Sequence, residues 1–287
     1  MPQNHSVFSG LKPVPEFADA SLLFPVAGKN IRKGSYICNM KLPGITFLRN
    51  VIASLRPLEK WIAGLALLLL VAERVWFLFQ YPVHTDEAYT FTHFTNGGIW
   101  RSMSYYPLPN NHIFFSVITA AFHYILPDAF WSLRLPSLLI SLVVTVYLFL
   151  VLKRFAGFWV ALLGVGLFCF SNLGIYYSFH ARGYFLMTGL SAAAAFCLLQ
   201  FIRTGRRSAL WLFGLASVLG FYTVPVFLYP FVALAGFGFS LLLLLRDSKK
   251  LTAFIIAGLG IGLVTLLLYL PVFAVSGITA IIGNEYV

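Results

Sequence analysis

Apolar residues in this chain come in long blocks, and polar residues are confined to the joints between them. The stretches from Phe155 to Ala181, Ser208 to Leu245 and Leu251 to Asn284 contain no Asp, Glu, Lys or Arg. A helix that crosses a bilayer needs roughly 20 such residues, so each block has room for one span or two. Read with their flanks, the blocks predict helices at 61–80, 112–126, 135–152, 156–176, 184–202, 208–224, 228–245 and 251–273.

Charge decides which of these cross. Three basic clusters close apolar blocks: Lys153 with Arg154, then Arg203, Arg206 and Arg207, then Arg246, Lys249 and Lys250. Lys and Arg collect on the cytoplasmic side of a membrane, as would Arg49, Arg56 and Lys60 ahead of the first block. An odd number of crossings between Lys60 and Lys153 would break that rule, so one segment must stay on one side. The segment from His112 to Leu126 is the weakest, being short, bounded by Pro109 and Pro127, and interrupted by His123. It reads as an interfacial or re-entrant helix. The expectation is an all-α, polytopic transmembrane bundle of about seven spans with interfacial helices in its first external loop.

The organisation that follows places residues 1–58 inside as a partly disordered cytoplasmic segment. The transmembrane module occupies 59–273, with an external loop at 81–134, and 274–287 form a short external tail, which suggests a truncated form. Met40 opens MKLPGITFLRN, which reads as a second start, with residues 1–39 as an upstream extension.

Composition agrees and excludes a soluble globule: 60% of residues are hydrophobic and 10% charged, with a mean hydropathy of +0.85. The net charge of +11 could suggest nucleic acid, but the clustering of bases at block ends makes it a topology signal and argues for no nucleic-acid partner. Cys38, Cys169 and Cys197 are odd in number, and two lie inside apolar blocks, so no disulfide framework follows.

The remaining charges collect near the outer surface. Asp86 and Glu87 stand a few residues past the first span in YPVHTDEAYT, where a carboxylate can take a proton from an acceptor hydroxyl or simply serve the first turn of a helix capped by Thr85. Glu73 and Arg74 lie about 12 residues into that span, on the order of 18 Å along a helix; charges at such depth face a protein interior or a water-filled cavity. Arg134 opens RLPSLL and Arg182 lies in YYSFHARGYFLM; both sit on the side that bases avoid, and a planar guanidinium suits a phosphate. His84, His93, His112, His123 and His180 are also expected outside, but no His-x-x-x-His spacing or Cys pairing marks a metal site. A Gly-rich nucleotide loop is lacking as well.

Four pieces in this order, TDEAYT, YPLPNNHIFF, RLPSLL and YYSFHARGYFLM, resemble the amino-terminal module of the GT-C glycosyltransferases, particularly the protein O-mannosyltransferase and aminoarabinose-transferase branch, over about residues 60–273. The resemblance implies transfer of a sugar from a polyprenyl-phosphate carrier to an acceptor lipid, glycan or protein at the outer face of a membrane, with membrane lipids as surroundings. Asp86 matches that family's catalytic acid and Glu87 its acidic neighbour. Arg74, Arg134 and Arg182 match arginines that would hold the lipid phosphate, with His112 and His84 beside them in the substrate site. Members of that superfamily differ in metal dependence, so the resemblance names no definite cofactor and leaves a divalent metal open, without named ligands. Compact loops point to a bacterial inner membrane and an undecaprenyl carrier.

The chain departs from the family pattern where His-Pro-Pro is replaced by Asn110, Asn111 and His112, and where His180 replaces an acidic residue ahead of Arg182. A non-catalytic or truncated GT-C-like subunit, or a transporter, is the competing reading. A transporter should show inverted repeats with broken helices, and no convincing second copy of the first half is present.

Overall fold

In a computed structural model, the described residues are 45–108 and 110–282, so the expectations for residues 1–44, Cys38 and the Met40 start included, lie outside them. The helices are, in order, α1 (Ile45–Ala53), α2 (Pro57–Gln80), α3 (Thr85–His93), α4 (Gly98–Ser104), α5 (Ile113–Ile125), α6 (Ala129–Ala156), α7 (Phe158–Cys169), α8 (Asn172–Phe179), α9 (Tyr184–Thr204), α10 (Arg207–Thr223), α11 (Leu228–Leu244), α12 (Ser248–Leu268), α13 (Leu270–Ser276) and α14 (Thr279–Ile282). Every segment that hydropathy marked is helical, and the molecule is an all-α membrane bundle.

By length and composition, five helices can cross a membrane: Pro57–Gln80, Ala129–Ala156, Tyr184–Thr204, Pro225–Leu244 and Ser248–Ser276. The pair α7 and α8, bent by 71°, brings the number to six. Two of the seven expected spans depart from a single long helix. The segment 156–176 is not one straight helix but turns at Phe170 and Ser171, because the Ser171 side chain caps α8 by accepting from Gly174 N at 3.0 Å. Gly174 packs so closely on the carbonyls of Phe168 and Cys169 that a Cβ would overlap them. The segment 208–224 is α10, 17 residues long, which ends at Val224 because Pro225 biases the residue before it to extended backbone. The weak segment at 112–126 is α5, at 13 residues too short to span.

Helix ends alternate between two sides. Arg56 caps α2, its backbone N–H donating to the Glu59 carboxylate at 2.9 Å, and Lys153 near the end of α6 donates to Val51 O of α1 at 3.1 Å and to Ser54 Oγ. Lys250 in the first turn of α12 donates to Ile202 O near the end of α9 at 3.0 Å. The basic clusters thus share one end of the bundle, and the far ends of α2, α6 and α9 meet α3 and α8 at the other. The segment expected to be partly disordered up to residue 58 carries α1, whose Val51 is buried, and Leu55 just beyond it is buried too. At the other terminus, Ser276 Oγ accepts from Tyr106 N at 2.8 Å and donates to Ser104 O at 3.0 Å, docking α13 on the loop after α4.

The largest core lies among α9, α10, α11 and α12, around Phe196, Leu198, Phe201, Phe213, Leu242 and Phe254. By contrast, α2 turns Trp61, Leu68, Trp76 and Phe79 outward, all more than half exposed. Apolar residues on the outside are what lipid contact calls for. At the top of α10, Gly220 leaves room for the buried Phe227 ring, which a Cβ would overlap. Gly220→Ala is expected to lower stability by about 1–3 kcal/mol through overpacking, measured as a drop in thermal midpoint of the purified protein in detergent; an unchanged midpoint would show that the ring moves freely.

Candidate functional site

The site begins where α2 ends. His84 is the N-cap of α3, its ring accepting from Asp86 N at 3.4 Å, while Glu87 at the third helical position reaches back to accept from His84 N at 3.1 Å. This reciprocal cap fixes the first turn of α3 and separates its two neighbouring carboxylates. Glu87 turns inward and is fully buried; the Asp86 side chain turns outward and is 44% exposed.

Buried Glu87 is a hub for four elements. Its Oε1 accepts from Arg134 Nε at 3.0 Å and from Ala181 N at 3.1 Å; its Oε2 accepts from Arg134 Nη2 at 2.6 Å and lies 3.5 Å from His180 Nδ1. Arg134, at 1% exposure, gives its other donors to the end of α2: Nη1 to Leu78 O at 2.6 Å and Tyr81 O at 2.8 Å, Nη2 to Pro82 O at 2.9 Å. Carbonyls at a helix end have no partner within the helix; Arg134 satisfies that of Leu78 in the last turn of α2 and those of Tyr81 and Pro82 just after it. A guanidinium has five N–H donors, and all five are spent on protein. Arg134, expected to bind phosphate, has none left for one; it ties α2, α3 and α6 together. Burial alone would raise the Glu87 carboxyl, but His180 and Arg134 outweigh it and hold it down at about 2.

The second ion pair is open. Arg182 Nη2 lies 2.5 Å from Asp86 Oδ2, and its Nη1 donates to Asn110 O at 2.8 Å. Partial burial pushes the Asp86 carboxyl up, and the combined pull of Arg182, His84 and His180 leaves it below its ordinary range. Next to Arg182, Gly183 N donates to His112 Nδ1 at 3.2 Å, and Tyr184 meets the His112 ring edge-on at 4.8 Å. A Cβ on Gly183 would crowd Thr223 and His112, so only glycine lets α9 start this close to α10. Asn111 holds the loop from below, donating to Ser102 O at 2.9 Å and Tyr105 O at 3.0 Å.

Burial, then the charge of Arg182, depress His112 to about 3, so it is neutral in the folded protein. The unfolded chain takes up a proton below the ordinary value of 6.5 while the folded one does not, so this contribution to stability is complete above about pH 6.5 and declines towards pH 3. The thermal midpoint is expected to fall between pH 6.5 and 4.5, and His112→Gln to flatten that decline; a slope unchanged in the variant would assign it to another group.

Of the residues the sequence singles out, Asp86, Glu87, Arg134, Arg182, His112 and His84 meet here. Arg74 does not: it is fully buried between α2 and α6, donating to Ser141 Oγ at 2.9 Å and Thr145 Oγ1 at 3.1 Å, with the Phe185 ring 5.1 Å from its guanidinium carbon. Among the described residues it shares no hydrogen bond or ion pair with the site; where the sequence reading has it facing the lipid phosphate, it links α2 to α6. His180, which the sequence reading places outside but not in the site, joins it here. It lies buried against Glu87, with its ring stacked on Tyr176 at 4.5 Å, and its ligand atoms come within 4.8 Å of those of His84 and Asp86. That grouping was invisible to spacing, because His180 arrives from α8.

No family model, curated protein or solved structure matches the chain.

Proposed function

We propose that this protein is a GT-C-like glycosyltransferase that moves a sugar from a polyprenyl-phosphate carrier to an acceptor hydroxyl. The observation that carries this reading is the Asp86–Arg182 pair, a half-open carboxylate and a nearly buried guanidinium in contact at the end of the bundle. It stands on the Glu87–Arg134 hub, which holds it in place without taking part. The four sequence pieces behind the GT-C resemblance converge here.

In the proposed reaction, Asp86 accepts the proton of the acceptor hydroxyl as that oxygen bonds to the anomeric carbon. The bond from that carbon to the phosphate oxygen breaks, and the phosphate leaves with the electron pair, its charge met by Arg182. A phosphate that engages Arg182 also loosens the contact that keeps Asp86 a weak base, so donor binding raises the proton affinity of Asp86 when it is needed. Glu87 and Arg134 are positioning residues, while His84 and His112 border the substrate. An apolar groove of about 570 Å³ between α2, α6 and α9, lined by Leu67, Val71, Val144, Leu186 and Gly189, suits a prenyl chain.

The basic clusters lie at the opposite end of the helices, so the positive-inside rule orients the site outward, across what we take to be a bacterial inner membrane. The test is release of polyprenyl phosphate from a panel of labelled polyprenyl-phosphate sugars by membranes containing this chain. One productive donor is expected and would name the sugar. Absence of release from every donor, with the protein folded and inserted, would replace the enzyme by a non-catalytic membrane subunit.

A further inference from the structure

We propose that His84, Asp86 and His180 form a binding site for a zinc-type divalent cation. Each offers one ligand atom, and the three lie within 4.8 Å of one another. Two imidazoles and one carboxylate are a donor set that zinc and its neighbours in the transition series accept, with a position left open for water or substrate.

The surroundings are arranged as they are around metal-bound histidines. A ligating imidazole is normally oriented by a carboxylate on its other nitrogen. The buried Glu87 carboxylate, 3.5 Å from His180 Nδ1, favours the tautomer protonated there and leaves Nε2 as the nitrogen that can ligate. At present Nε2 faces the Tyr176 hydroxyl at 3.3 Å, a long contact that a cation would displace. On Asp86, Oδ2 is held by Arg182 while Oδ1 accepts no hydrogen bond among the described residues. His84 is exposed at the start of α3, and among the described residues its ring hydrogen bond is the 3.4 Å one from Asp86 N.

Distances set the size of the movement required. In a tetrahedral site, ligand atoms about 2.1 Å from a shared ion are about 3.4 Å apart, so the cluster, now within 4.8 Å, must tighten by up to about 1.4 Å. Rotation of the exposed His84 side chain, which gives up its 3.4 Å cap to Asp86 N, supplies part of that movement. Arg182 opposes the cation with its own charge, and Glu87 beyond His180 is already neutralised by Arg134. The cation and Arg182 therefore share Asp86, one on each oxygen.

The site shares Asp86 with the proposed transferase, so its test uses no donor and no acceptor. The full chain, carrying a histidine-free affinity tag and stripped with chelator, is titrated in detergent with Co²⁺, read by its visible absorption, and then with competing Zn²⁺. One cation per chain is expected, with affinity reduced roughly tenfold or more in His84→Ala and at least as much in His180→Ala. Because His180 is buried and its loss can unfold the protein, the exposed His84 decides the matter. Wild-type protein that binds no Co²⁺, or His84→Ala protein that binds it with unchanged affinity, overturns the site. Cation binding without turnover on any donor would keep the site and remove the transferase; turnover without cation binding would do the reverse.

Discussion

Asp86→Asn is expected to abolish sugar transfer while leaving the protein folded. Removing a general base costs about 10²–10⁴ in rate, and the loss should appear in kcat, because asparagine keeps the shape of the side chain and an oxygen for Arg182. The stability cost is small. Asp86 is 44% exposed, and ion pairs open to solvent are worth about 0–1 kcal/mol. Release of polyprenyl phosphate from the productive donor is the measurement, with the thermal midpoint as control. Turnover within about threefold of wild type, with the fold intact, would remove Asp86 as the base.

Replacing Arg134 by alanine is expected to do the opposite, destroying the fold before the chemistry can be asked about. It leaves the Glu87 carboxylate charged and buried and strips partners from the carbonyls of Leu78, Tyr81 and Pro82. Breaking one side of a buried ion pair costs about 3–5 kcal/mol, a large part of the stability of any domain. The check is the yield of monodisperse protein after solubilisation, together with its thermal midpoint. Exchanging both partners for apolar residues should recover only part of the loss, since the three carbonyls and the N–H groups of His84 and Ala181 stay without partners.

The same hub predicts a pH dependence. Glu87 is held at about 2, below its ordinary 4.5, so its stabilisation is complete above about pH 4.5 and is lost as pH falls towards 2, on the order of 3 kcal/mol in all. That window lies at lower pH than the first part of the decline assigned to His112, so the two separate in a pH series.

The proposed function rests on Asp86 and Arg182 and not on the other two arginines that the resemblance brings in. The sequence pattern treats Arg74, Arg134 and Arg182 alike, as cations on a phosphate. In the fold, Arg134 spends every donor on helix ends and on Glu87, and Arg74 is enclosed by hydroxyls of α6. Only Arg182, at the mouth and shared between Asp86 and the Asn110 carbonyl, remains placed to meet a ligand.

The chain by itself determined the membrane class, the helical content and the eight apolar segments, because burial in lipid is a property of a segment's own side chains and needs no knowledge of neighbours. It also marked the acidic pair after the first span and the arginine before α9. What it left open is which member of that pair is exposed. Asp86 and Glu87 are adjacent, and only the arrival of Arg134 from 47 residues away and the Ala181 N–H from 94 residues away makes one a buried hub and leaves the other half exposed. The bend between α7 and α8 and the meeting of His180 with His84 were equally out of reach. Each depends on how closely separate helices approach, and that is decided by packing, which no local pattern of hydropathy or charge contains.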